Sequence, residues 1–136
     1  WDDRLPSELV LQWEAIQTSL AQLNGLQLDR WIEQSADTHL CEFYGFSDAS
    51  TKAYAAVIYV RFISSVGDIS STLLISKSKV ALIKSLSTPR LELAAAVLLS
   101  KLMDFVRTSL QLTDVPCYCW TDSTVVVAWV TQHPSK

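Results

Sequence analysis

Glycine and proline are scarce in this chain of 136 residues, with three of one and four of the other, which excludes collagen-like and low-complexity architectures. Charge is sparse as well. Charged residues make up 18% against 49% hydrophobic, the reverse of what keeps a chain disordered, so it should fold, and its length suits one well-built domain rather than two. Long apolar runs are missing: residues 93–99 and 125–130 fall far short of the ~18 that a membrane span needs. The opening Trp1-Asp2-Asp3-Arg4 has neither the basic region nor the apolar core of a secretion signal. The three glycines (25, 45 and 67) stand too far apart for a phosphate-cradling loop, and no Gly-x-Ser-x-Gly elbow exists for a serine hydrolase. Cysteine is limited to Cys41, Cys117 and Cys119, an odd count. The last two are spaced to share one face of a strand, which predicts free thiols and a reducing compartment.

The charge that is present is unevenly placed. The net value is −3, which argues against holding nucleic acid by bulk positive charge. Residues 1–47 carry eight acids and two bases, whereas residues 48–136 carry six acids and nine bases. No acid falls between positions 70 and 91, where Lys77, Lys79, Lys84 and Arg90 stand. That stretch reads either as a solvated face or as a local anion contact.

Hydrophobic periodicity orders the chain. Leu9, Trp13, Ile16, Leu20 and Leu23 recur in steps of four and three, the period of an amphipathic helix, with Ser7 as its cap and Asn24-Gly25 as its stop. Nothing local buries that stripe, so it must pack elsewhere, and a mostly polar connector follows to position 38. Residues 42–48, 54–62 and 72–77 read as strands joined by short turns, hence an antiparallel meander, with the second buried on both faces. Thr88 as cap and Pro89 at the first helical position open a long helix that runs to about residue 110. A fourth strand at 117–121 and a helix from 123 complete the order β-β-β-α-β-α, with Trp120 and Trp129 expected in the core.

This order sets Asp48 at the end of the first strand, Glu92 in the first turn of the long helix and Asp122 just past the fourth strand. Each acid has a plain structural explanation: a turn former for Asp48, a helix-dipole partner for Glu92, an N-cap for Asp122. Together they are three hard oxygen ligands suited to Mg²⁺ or Mn²⁺, and two such ions ~3.5–4 Å apart would drive phosphodiester hydrolysis. Once these acids are neutralised, the remainder of residues 48–136 is basic enough for a polyanionic substrate. Ser50 and Ser123 can donate to phosphate or a ribose 2′-hydroxyl, or cap local turns; Arg90 can pair with phosphate or a nearby acid. His39 and Cys41 with Cys117 and Cys119 supply four soft ligands, but the one-residue spacing is not that of a zinc knuckle. His133 reads as a proton shuttle or as a lone exposed side chain.

The blocks Gly45-Phe46-Ser47-Asp48-Ala49-Ser50 with residues 53–59, then residues 86–93 around Thr88-Pro89-Arg90-Leu91-Glu92, then Trp120-Thr121-Asp122-Ser123 with Thr124-Val125-Val126, closely resemble the ribonuclease H region of Pao (BEL-type) retrotransposon polyproteins. Trp1-Asp2-Asp3, Leu5-Pro6, Trp13, Leu20 and Arg30-Trp31 resemble the segment that links reverse transcriptase to that region. The resemblance implies an α/β, ribonuclease H-like mixed sheet, an antiparallel meander followed by a parallel strand, with helices and an added N-terminal amphipathic helix. Residues 1–38 would be the connector from the polymerase and residues 39–136 the ribonuclease H-like domain, incomplete at its C-terminus, since such nucleases draw a fifth strand and a fourth metal-binding position from further on. The implied activity is metal-dependent hydrolysis of the RNA strand of RNA–DNA hybrids. Asp48, Glu92 and Asp122 would serve as catalytic ligands of two Mg²⁺ or Mn²⁺ ions, with Ser50, Arg90 and Ser123 at the substrate. The implied partners are the hybrid and an adjacent reverse transcriptase, with no membrane and no small-molecule cofactor, in an intracellular virus-like particle. The order Asp-Glu-Asp matches ribonuclease H rather than integrases of similar fold, whose Glu comes last. The alternative is a catalytically inactive, retrotransposon-derived remnant that acts as a structural or nucleic-acid or protein interaction module.

Overall fold

The computed structural model describes residues 4–27, 37–81 and 86–132. The chain forms two compact units, Trp1–Arg30 and Trp31–Lys136. In the first, helix α1 spans Ser7–Leu20 and tightens into a 3₁₀ segment, Ala21–Gly25, which ends at the expected stop. Ser7 is the first helical residue rather than the cap. Pro6 holds the cap position, and its carbonyl accepts from Leu9 N at 3.0 Å and Val10 N at 3.2 Å. No residue of α1 is buried, so its apolar stripe is open along its length.

The second unit contains β1 (Thr38–Ala49), β2 (Ala53–Ser64), β3 (Ile69–Val80), α2 (Thr88–Leu110), β4 (Cys117–Thr121) and α3 (Thr124–Thr131). The sheet order is β3-β2-β1-β4: the first three strands form the antiparallel meander and β4 lies parallel to β1. This is the mixed α/β sheet, an antiparallel meander followed by a parallel strand, that the resemblance implies. Local chemistry fixes the turns. Ser50 Oγ accepts from Lys52 N and Ala53 N, both at 3.2 Å, to close the β1–β2 turn. Ser64 Oγ accepts from Asp68 N at 3.0 Å in the β2–β3 turn, where Gly67 takes the positive φ of +92° that a Cβ would strain.

One face of the sheet is covered by α2. Strand alternation sends Phe43, Gly45 and Ser47 of β1 and Ala56, Ile58, Val60 and Phe62 of β2 to that face. They meet Leu98, Leu99, Leu102, Met103 and Val106, which recur at three- and four-residue steps along α2. The helix packs tightly on Gly45, where a Cβ would lie 2.7 Å from Leu99 Cδ1. The expectation that β2 is buried on both faces is therefore corrected. Its residues alternate, because α2 covers only one side.

Three further expectations shift. The α2 cap is Ser87, whose carbonyl accepts from Arg90 N at 2.9 Å and Leu91 N at 3.1 Å, so Thr88 and Pro89 both sit inside the first turn. Glu92 consequently lies beyond that turn. Trp120 and Trp129 are not core residues; both are nearly half exposed.

Candidate catalytic site

The parallel pairing of β1 with β4 decides where the acids go. Ser47 is in register with Thr121, the last residue of β4, so Asp48 is the next residue of β1 and Asp122 the first residue past β4, at the end of two backbones that run ~4.8 Å apart. Glu92 reaches the same end from α2: Ser123 Oγ donates to Glu92 Oε2. Ser123 Oγ also accepts from Val126 N at 3.2 Å as the N-cap of α3, and Ser123 N donates to Thr121 Oγ1 at 3.3 Å. Asp122 is thus bracketed by two tethered neighbours.

Two of the plain structural explanations lose their force here. Ser123, not Asp122, caps α3. Glu92 has passed the first turn of α2, where a helix dipole would reward an acid. Asp48 retains a local role: it is exposed and its Oδ1 accepts from Ala49 N at 2.7 Å. Ser50 is engaged in the β1–β2 turn, donating to Ala53 O at 3.2 Å. Ser123 has its one proton on Glu92. Arg90 is exposed and has no ion pair among the described residues. Lys84 and His133 lie outside the described residues.

Among the described residues, no three or more His, Cys, Asp and Glu side chains stand close enough together to hold a metal ion. The donor types fit a hard divalent cation, since Asp48, Asp122 and Glu92 offer only carboxylate oxygens, but strand alternation turns Asp48 with Phe46 toward the face opposite α2, whereas Glu92 stands on α2. Like charges favour separation unless neutralised, and Asp48 and Glu92 each rest on a different protein donor. The soft ligands behave differently. Cys41, Cys117 and Cys119 are free, and burial, the leading cause for each, pushes their thiols above the ordinary value, which disfavours the thiolate that a nucleophile or metal ligand requires.

The sheet face opposite α2 was not anticipated. Tyr44, Phe46, Tyr59, Tyr118 and Trp120 form a connected row of rings there, with Trp120 stacked on Tyr44 at 5.4 Å and on Phe46 at 5.3 Å. Arg61 sits beside it, donating to the Tyr44 hydroxyl at 3.0 Å, while that hydroxyl donates to Glu42 at 2.8 Å. The signal was available in the alternation: the parity that places Cys117 and Cys119 on one face places Tyr118 and Trp120 on the other. A shallow cleft of about 270 Å³ at the far end of this face is lined by Phe46, Asp48, Ala55, Val57, Ser76 and Ser78. A larger one of about 660 Å³ lies between α2, β4 and α3.

Among the described residues no helix is long and apolar enough to cross a membrane. No curated protein and no solved structure gives a significant match. A mixed sheet with acids at two adjacent strand ends and on the facing helix is nonetheless accompanied by a decisive likeness in sequence. The family model described as the Pao retrotransposon-like RNaseH-like domain matches residues 1–123, through all three acids to the cap of α3, and the chain belongs to that family.

Proposed function

We propose that this chain is the ribonuclease H unit of a Pao-type retrotransposon polyprotein, cleaving the RNA strand of RNA–DNA hybrids at a site formed by Asp48, Glu92 and Asp122. The observation that supports this reading is the β1–β4 register, in which Ser47 pairs with Thr121, the residues just before Asp48 and Asp122, while Ser123, next to Asp122, bonds Glu92. The three carboxylates would hold Mg²⁺ or Mn²⁺, and a pair of such ions activates the attacking water and stabilises the leaving oxygen. Arg90, exposed two positions before Glu92, offers the forked donors that suit a phosphate of the substrate. The cleft beside Asp48, lined by Ser76 and Ser78, offers hydroxyls to the sugar–phosphate backbone. In this reading residues 1–38 lead from a reverse transcriptase, and the setting is the element's intracellular particle.

A second reading is favoured by Asp48 resting on Ala49 N and by the absence of a three-ligand group among the described residues. It is a non-catalytic module whose acids serve only as local acceptors. A Mn²⁺ titration followed by thermal denaturation separates the two. A cation that prefers the folded state raises the melting temperature, by about 2.7 kcal/mol of stability at a hundredfold excess over Kd. The nuclease reading requires that rise, its loss in Asp122→Asn, and Mn²⁺-dependent cleavage of a labelled hybrid by the polypeptide extended past Lys136. A melting temperature indifferent to the ion, with intact hybrid, establishes the second.

A further inference from the structure

We propose that Ser123 is a positioning residue that orients Glu92 and Asp122 together for cation binding; the proposal rests on the nuclease reading above. A serine hydroxyl has one proton to give and can also accept. Here the proton goes to Glu92 Oε2 and the lone pair receives Val126 N, so neither function is left over for a substrate. Ser123 is 6% exposed, which shields both bonds from competing water. Its main chain is fixed as well: the N–H donates to Thr121 Oγ1 and the carbonyl accepts from Val127 N at 3.0 Å. The single residue therefore joins the end of β4, the start of α3 and the second turn of α2. It holds the backbone next to Asp122 and the carboxylate of Glu92 in one knot. Partners that orient metal-binding side chains typically change cation affinity ~10–100-fold when removed.

The test exploits glycine, a competent N-cap without a hydroxyl. Mn²⁺ affinity is measured from the loss of the free-ion electron paramagnetic resonance signal in the wild-type chain, Ser123→Gly, the near-isosteric Ser123→Cys and Ser123→Thr. Circular dichroism checks that each folds. The expected result is binding at least ~10-fold weaker in Ser123→Gly, weaker also in Ser123→Cys, and near wild type in Ser123→Thr, which restores donor and cap together. In a Glu92→Gln background Ser123→Gly should add a smaller loss than in the wild type, since the part of its effect that passes through Glu92 is already gone. A wild-type chain that binds Mn²⁺, with Ser123→Gly and Ser123→Cys binding equally well, overturns the positioning role and leaves the nuclease reading standing. A wild-type chain that binds none overturns both.

Discussion

The two faces of the sheet are built from similarly apolar sequence and end differently. Phe43 and Phe46 lie three residues apart on β1, yet Phe43 is fully buried under α2 and Phe46 is 43% exposed among other rings. The difference lies in what covers each face. α2 brings a stripe of Leu, Ala, Met and Val that fits against Gly45 and the β2 side chains, whereas the opposite face has its rings packed chiefly on one another. An apolar strand thus shows that both faces would gain from burial, and only the helix shows which one this unit seals.

That contrast breaks if the two phenylalanines prove equal. Phe43→Ala should cost about 3–5 kcal/mol in urea unfolding, as for a fully packed core aromatic. Phe46→Ala should cost about 1 kcal/mol, the value of an exposed ring pair. The contrast sharpens at positions without a large side chain. Gly45→Val forces a branched group into the contact with Leu99 Cδ1 and should cost about 1–3 kcal/mol, while Ala55→Val on the exposed opposite side should stay within about 0.5 kcal/mol. Comparable losses at both sites would mean that α2 does not press on β1.

The smallest effect concerns the thiols of the covered side. Burial raises the Cys117 thiol above its usual value of 9.0, and Arg107 offsets only part of this. The folded form therefore holds the proton longer than the unfolded one, so the contribution is intact below about pH 9 and is lost as pH rises through the folded-state value. Cys117→Ala should lose less stability than the wild type between pH 8 and 10, measured by thermal melts; parallel profiles would show that burial there does not matter.

The strongly periodic parts were legible in the sequence. α2 and the meander follow from spacing alone, and the element order puts Asp48 at the end of β1 and Asp122 just past β4, whereas Glu92 lies beyond the first turn expected for it. β3 is longer than the 72–77 expected: Ser70, Ser71, Ser78 and Lys79 give no apolar signal, yet their backbone pairs with β2 all the same. Trp120 was misplaced because bulk and hydrophobicity suggested the core, while parity with Phe46 puts it on the opposite face. The helix starts moved by one residue at Ser7 and Thr88, each next to a proline that fits several first-turn positions. The bond from Ser123 to Glu92 joins side chains 31 positions apart, and no local spacing announces it.

The parallel pairing of Phe43 with Cys117 also imposes a schedule. β1, β2 and β3 can zip together as soon as residue 80 has been synthesised, but Asp122 arrives only after α2 and β4 have followed. Contacts that span so much chain form late, since closing the intervening loop costs entropy before any contact compensates. A nascent polypeptide with its meander finished still has Asp48 without the residues that follow it across the sheet, so the β1–β4 pairing is made only after the meander.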